Sequence, residues 1–367
     1  MRATVCNIDE WASLLHNSPQ RPVLIHLNAD TSWLLQLPYS TGAARPRGRT
    51  HFNVLFDPWL HGAQSDVAWW FSTQWHVVPP TVASIHDLGS LLKKLERRRH
   101  GGGDGVLVDN EEEAETRHNG GGSGDSFIDV VVISHEFTDH CHRATLEELP
   151  QQTPVFATDA AADLIRTWCH FDNVVTTPGL VEGVHWSRLT VGSLPSWLSI
   201  GRVVTPGNAL YFHSAVLVAF SLDQLSTTAA ATPAAATAAV AKMSEAIVYS
   251  PHGIEGDDLA GLPSSGLVAL VLLHGLHDVR IWAAKQLNLG ALNGIRAARA
   301  CGARYWVATH DEVKTSGSFI APLLRRVRYT LNQAIMNEQS RLVASGDEEE
   351  PVYTFAELAS GGILLLE

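Results

Sequence analysis

Cysteine is scarce in this 367-residue chain: only Cys6, Cys141, Cys169 and Cys301, far apart and with no CxxC pair. That spacing argues against a zinc ribbon or a disulfide scaffold and suits a reducing compartment. Positive charge is also short. Lys and Arg number 26 against 38 Asp and Glu, a formal charge of −12, so nothing electrostatic points to nucleic acid or an anionic membrane surface. The one basic cluster, "KKLERRR" from Lys93 to Arg99, runs into glycines and reads as a solvated helix end. No apolar run approaches the roughly 18 residues that a membrane span needs. Asp9 and Glu10 interrupt the N-terminal stretch where a secretion signal would be apolar. The expectation is a cytoplasmic protein with no membrane span and no nucleic-acid partner. Nucleophile and nucleotide signatures are absent too. There is no GxSxG elbow, and the glycines of "HGGGDG" and "GGGSGD" lack the helix pattern and lysine of a phosphate loop.

What the chain does have is histidine, 18 in all, and where these fall is informative. Apolar residues at 45% and charged residues at 17% fit a globular protein large enough for a sizeable core. "FIDVVVISHEF", "EAIVYSPHG", "LVALVLLHG" and "ARYWVATHDE" each read as a buried strand that ends in a histidine: His135, His252, His274 and His310. Strand ends gathered on one sheet edge are where a layered α/β fold places its chemistry. The densest stretch, "SHEFTDHCH" from Ser134 to His142, holds three histidines, a glutamate, an aspartate and a cysteine. Its composition suits a working metal centre, a vestigial hydrogen-bond network or a polar loop.

The remaining pattern gives two early strands in "RPVLIHLNADTSWLLQLP" and "THFNVLFDPWL", with helical character at "SIHDLGSLLKKLERRR". "NVVTTPG", "HWSRLTVGSL", "IGRVVTPG" and "LYFHSAVLVAFSL" read as successive strands of a largely antiparallel sheet. Low-complexity segments at about 99–126 and 224–243 read as flexible insertions. "VRIWAAKQL" suits a helix capped by Asp278, and "APLLRRVRYTLNQAIMNEQSRL" is helical in character. The implied division is an N-terminal helical lead over 1–21, a main domain over 22–335 and a C-terminal extension over 336–367.

"FDPWL", "VVVISHEFTDH", "AIVYSPHG" and "YWVATHDE" follow one another in an order that resembles the metallo-β-lactamase-fold hydrolases, most of all the branch with lactonase-like and N-acyl-phosphatidylethanolamine phospholipase-like members. The resemblance covers roughly residues 22–330 and implies an α/β fold, a four-layered αββα sandwich. It maps His135, Asp139 and His140 onto the family's HxHxDH motif, with Phe137 in place of the second histidine. His252 stands where the family has a bridging aspartate, and His310 matches the terminal histidine. The middle histidine has no clear counterpart; Asn208 lies near its place and His213 five residues on. Asp57 in "FDPWL" is expected to tie a strand end to backbone or to a site histidine.

The resemblance therefore implies a remodelled, mononuclear site held by Asp139, His140 and His310, with His135 and His252 as further ligands or water-orienting groups. Such an N/O donor set suits zinc, with iron or manganese as alternatives. Asp139 and His252 are the catalytic candidates. Glu136, Cys141 and His142 are lesser ones. His274, His277, Trp70 and Trp75 are candidates for lining a substrate pocket. The expected activity is hydrolysis of a small ester, lactone, amide or phosphodiester. A catalytically degenerate binding or scaffold protein is the rival, and redox chemistry at iron a weaker one, since no flavodoxin-like domain is present. Oligomeric state is open.

Overall fold

The structure is a computed structural model that describes residues 7–40, 43–66, 68–99, 127–192, 194–204, 213–222, 243–281, 285–317, 321–346 and 353–367. Both low-complexity insertions fall almost wholly outside the described residues, as does Asn208.

In chain order the helices are α1 (Ile8–Asn17), α2 (Ile85–Arg99), α3 (Arg143–Leu146), α4 (Asp159–Thr167), α5 (Gly256–Leu259), α6 (Ala291–Cys301) and α7 (Leu331–Ser345). The strands are β1 (Val23–His26), β2 (Trp33–Pro38), β3 (His51–Phe56), β4 (Gln64–Ser65), β5 (Thr73–Trp75), β6 (Val130–Ile133), β7 (Val155–Ala157), β8 (Val174–Thr176), β9 (Leu198–Val204) and β10 (Ser214–Phe220). They continue with β11 (Ser244–Ser250), β12 (Leu267–His274), β13 (His277–Ile281), β14 (Lys285–Asn288), β15 (Tyr305–Val307), β16 (Thr315–Ser316), β17 (Leu324–Arg328), β18 (Thr354–Ala356) and β19 (Ile363–Leu365).

Two large sheets form the frame, one ordered β19-β1-β2-β3-β6-β7-β8 and the other β18-β15-β12-β11-β10-β9. Each is antiparallel over one part and parallel over the other. In the first the parallel pairs are β3/β6, β6/β7 and β7/β8; in the second they are β11/β12, β12/β15 and β15/β18. Alternation along each strand decides the layers, because successive side chains leave opposite faces. Leu24 and Leu35 of the first sheet meet Val218, Ile247 and Leu273 of the second in a core between the sheets. Their neighbours Val23, Ile25 and Leu34 face outward, under Trp11 and Leu15 of α1 and Leu88, Leu92 and Leu95 of α2. On the other side, Leu217, Val248 and Leu272 pack under Leu259 of α5 and Ile295 and Ala298 of α6. The result is a four-layered αββα sandwich. Each fully buried Leu, Ile or Phe contributes about 1.5–3 kcal/mol.

Local readings diverge at four places. "HWSRL" forms a 3-10 turn capped by His185, and Val174–Thr176 joins the parallel edge of the first sheet, so only β9 and β10 of that run pair antiparallel. Within "VRIWAAKQL" the described residues on either side of 282–284 belong to strands, β13 and β14, which pair antiparallel, and β13 finds a second partner in β17. Asp278 therefore caps no helix; it lies in β13 and bonds Arg280. In "APLLRRVRY" the strand β17 precedes the helix, which starts only at Leu331 behind a capping box of Thr330 and Gln333. Last, residues within 336–367 are built into both sheets, β18 beside β15 and β19 beside β1. Among the described residues no helix is long and apolar enough to cross a membrane.

Candidate metal centre

The C-terminal ends of β3, β6, β11 and β15 open onto one edge of the sandwich and deliver Asp57, the "SHEFTDH" loop, His252 and His310. Two of these positions are bent sharply: Asp57 has φ 39° and His310 φ 58°, both in the left-handed region that non-glycine residues rarely enter. Such conformations persist where surrounding bonds hold them. His310 is held by its backbone N–H, which donates to Asp30 O at 2.9 Å, and Asp57 by its N–H to Val132 O at 3.1 Å.

Asp57 is the hub under the loop. Its Oδ1 accepts from the Ser134 N–H at 2.8 Å, and its Oδ2 accepts from Tyr249 Oη and His140 Nδ1, both at 2.7 Å. That carboxylate fixes the His140 tautomer with the proton on Nδ1 and leaves Nε2 facing the site. The expected role of Asp57 is the observed one. Asp30 does the same for His310, whose Nδ1 lies 2.9 Å from Asp30 Oδ1. His252 completes the arrangement with its Nε2 3.0 Å from His140 Nε2. One ligand nitrogen from each of His140, His252 and His310 lies within 4.8 Å of the other two.

A second converging group, Asp30, Asp139 and His310, shares one of these imidazoles. Between its carboxylates sits the Lys314 ammonium, 2.6 Å from Asp30 Oδ2 and 2.7 Å from Asp139 Oδ2. Asp311, three residues before Lys314, accepts instead the backbone N–H groups of Leu276 and His277.

The charges follow from these contacts. Burial would raise Asp139, but Lys314 and then His140 and His310 hold its carboxyl far below the usual range. Asp30 is held low against its burial by Lys314 and His310. Burial would lower His140, yet Asp139 and Asp57 outweigh it and leave the imidazole raised. His252 is pushed well down by burial and by the surrounding imidazoles. Asp30 and Asp139 share one ammonium, and Asp57 pairs with His140, so carboxylates outnumber the fixed cation around the three imidazoles. A divalent cation would complement that surplus of acidic groups. The donor set fits as well, since imidazole nitrogens with carboxylates behind them are a zinc-type coordination pattern.

The site opens into a cavity of about 240 Å³. Asp139, His252, His310 and Lys314 lie on its wall, with Phe71, Phe137, Val279, Ile281, Leu287 and Leu324 supplying apolar surface. Gln64, Asp66 and Arg326 are among its polar wall residues. Asp66 accepts the Thr138 N–H at 2.9 Å, and burial together with Asp139 raises its carboxyl to about 6.

The other expected residues are distributed as follows. His135 is buried with its ring 4.4 Å from that of His252, but it belongs to neither converging group. Phe137 stacks on His135 and lines the cavity. Glu136 reaches His135 at 3.7 Å. Cys141 is in the core under the first sheet, its thiol pushed up by burial, and His142 caps α3 through the Thr145 N–H, so neither faces the centre. His213 Nδ1 lies 3.2 Å from the His252 backbone oxygen. His274 is buried away from the cavity, bonded to Gly275 O and Asn293 Oδ1. His277 accepts from Arg326 at 3.0 Å and so meets the cavity only through that guanidinium. Trp70 and Trp75 are 58% and 42% exposed and lie off the wall; Trp70 touches it indirectly, edge-on to Phe71.

Asp66 and Arg326 reach the cavity from places that the sequence pattern does not mark, and Asp30 and Lys314 meet beside it although their sequence neighbourhoods suggest only local partners. Asp30 sits in a turn whose Asn28 side chain accepts from Asp30 N and Ser32 N, a local role that hid the carboxylate's second one.

No protein-family model matches the chain, and no curated protein does. Among solved structures it is similar to the isothiocyanate hydrolase from Delia radicum gut bacteria, at 14% identity over 93% of this chain and 98% of that one, with a TM-score of 0.49. It is also similar to a protein described as a possible metal-dependent hydrolase from Veillonella parvula, at 13% identity over 94% and 100%, TM-score 0.47. A third is the metallo-β-lactamase-fold protein YhfI from Bacillus subtilis, at 12% identity over 94% and 99%, TM-score 0.42.

Proposed function

We propose that this chain is a metal-dependent hydrolase of a small ester, lactone, amide or phosphodiester, with one ion held by His140, His252 and His310. The carrying observation is the convergence of those three imidazoles beside a cavity whose wall includes His252 and His310, with Asp57 and Asp30 orienting His140 and His310 from behind. The ion fitting such a set is zinc, with iron or manganese as alternatives. When bound it supplies Lewis acidity toward a carbonyl or phosphoryl oxygen and toward water.

The chain's own residues supply the rest. Asp139 lies 3.7 Å from His140 Nε2 and 3.9 Å from His310 Nε2, within reach to hold and orient a water beside the imidazoles. Asp66, on the same wall, carries a carboxyl suited to exchanging a proton near neutral pH. The apolar wall of Phe71, Phe137, Ile281 and Leu324 takes an apolar part of the substrate, and Arg326 offers a cation to its polar end. His135 and Phe137 act as positioning groups through their packing on His252.

Equilibrium dialysis of the purified chain against zinc, followed by elemental analysis, tests this reading. It expects one ion per chain, lost in His140→Ala and His252→Ala and kept in His213→Ala, together with hydrolysis of at least one substrate from an ester, lactone, amide and phosphodiester panel. Failure to hold zinc, iron or manganese would end it.

A further inference from the structure

The Asp30–Asp139–His310 group has the makings of a cation site, and in this chain its cation is covalently attached. Asp30 and Asp139 come from distant segments, the β1–β2 turn and the loop after β6, and Lys314 bridges them, with His310 in contact with both. All three are secluded: the Lys314 side chain is 5% exposed, Asp30 0% and Asp139 12%. Two carboxylates so placed would repel each other without a cation between them, and neither would remain ionised at low cost. The Lys314 ammonium lies against an oxygen of each and against the ring of Trp59, 5.3 Å from its centroid. Its chain leaves the backbone four residues after His310, which is itself a member of the group.

We propose that Lys314 occupies the place of a second divalent metal ion and thereby restricts the centre to one. This rests on the mononuclear reading above for what the neighbouring imidazoles do, but the claim about Lys314 stands on the carboxylate pair alone. Two consequences follow. Asp139 is committed to the ammonium and is not a ligand of the ion at His140, His252 and His310. Deleting the ammonium exposes a carboxylate-rich site, hard enough in its donors for zinc or manganese.

The test counts zinc per chain, by elemental analysis after dialysis at buffered free zinc, in the wild type, Lys314→Ala and Lys314→Arg. Lys314→Ala is expected to hold one ion more than the wild type, and Lys314→Arg, which keeps the charge, the same number. Thermal unfolding gives a second readout. Zinc should raise the midpoint of Lys314→Ala by more than it raises that of the wild type, because the ion replaces a missing charge. Equal counts in Lys314→Ala and wild type would overturn the proposal even if both bind one ion, which leaves the mononuclear reading intact. A wild type with no ion and a Lys314→Ala with one would do the reverse. Should Lys314→Ala fail to fold without metal, refolding in zinc is expected to return soluble protein that carries the extra ion. A variant that zinc cannot rescue, beside a folded Lys314→Arg, would also overturn it.

Discussion

Asp57 is the residue on which the centre's geometry depends most. It is fully buried, holds a left-handed backbone, and joins the Ser134 N–H, Tyr249 Oη and His140 Nδ1. Asp57→Asn keeps the shape but removes the charge that holds the His140 proton on Nδ1. Zinc affinity, measured by competition with a chromophoric chelator, is expected to drop about 10–100-fold, and stability to fall by about 1–3 kcal/mol. Asp278→Asn is the control, since among the described residues the Asp278 side chain bonds the exposed Arg280, and it should leave zinc affinity where it was. An Asp57→Asn chain with wild-type affinity would remove Asp57 from the centre's support. At this scale sequence singled out His140, His252, His310 and Asp57, which the structure brings together. It hid those whose role arises only when distant segments meet. Asp30 and Lys314 are 284 positions apart in the numbering, and no local spacing signals a pair joined at 2.6 Å.

At the scale of elements, apolar strands ending in histidine were legible because a buried parallel strand reads as a continuous run of branched residues. The β13/β14 pair was not, since β13 is flanked by β17, a partner that local propensity does not encode. The turn after β11 shows how an element's end sets the site. Gly253 follows His252 with φ 88°, and a Cβ there would stand 2.6 Å from Leu289 Cβ and 3.0 Å from His274 Nε2. The Leu289 N–H meanwhile donates to His252 O at 2.9 Å, so the turn cannot move without carrying the histidine. Gly253→Ala is expected to cost about 1–3 kcal/mol from overpacking, plus roughly 1 kcal/mol for the backbone. It should also weaken zinc binding at least tenfold. Gly302→Ala separates the two effects. Gly302 has φ 61° but nothing within 4 Å of its Cβ position, so it should lose stability alone and bind zinc as the wild type does. Equal zinc affinity in both variants would show that the β11 turn does not position His252.

Across the whole molecule, the chain's end closes both sheets, and His26 sits at one of these closures. Its backbone N–H donates to Gly362 O at 3.0 Å and its carbonyl accepts from Gly361 at 2.7 Å. The ring stacks on Trp33 with centroids 3.8 Å apart, and Nδ1 bonds the Leu358 carbonyl at 2.6 Å. Burial pushes this imidazole down from 6.5 to about 4, although the carbonyls of Leu358 and Asp30 favour its charged form. Between those two values the unfolded chain binds a proton that the folded chain refuses. Stability from this residue is therefore complete above about pH 6.5, falls as pH drops through the interval, and levels off below about 4. At 1.36 kcal/mol per unit, the loss is on the order of 3 kcal/mol. His142 and His277, both lowered to about 4 by burial first, add to the same slope, so replacing one residue should reduce it without abolishing it. Urea unfolding of metal-free protein at intervals from pH 7 to pH 4.5 measures this. His26→Gln keeps a donor for the Leu358 carbonyl but cannot titrate. It should start below the wild type at pH 7, lose less on acidification, and narrow the gap or cross it near pH 5. Parallel profiles for the two proteins would show that protonation at this junction does not govern how the chain's end leaves the sheets.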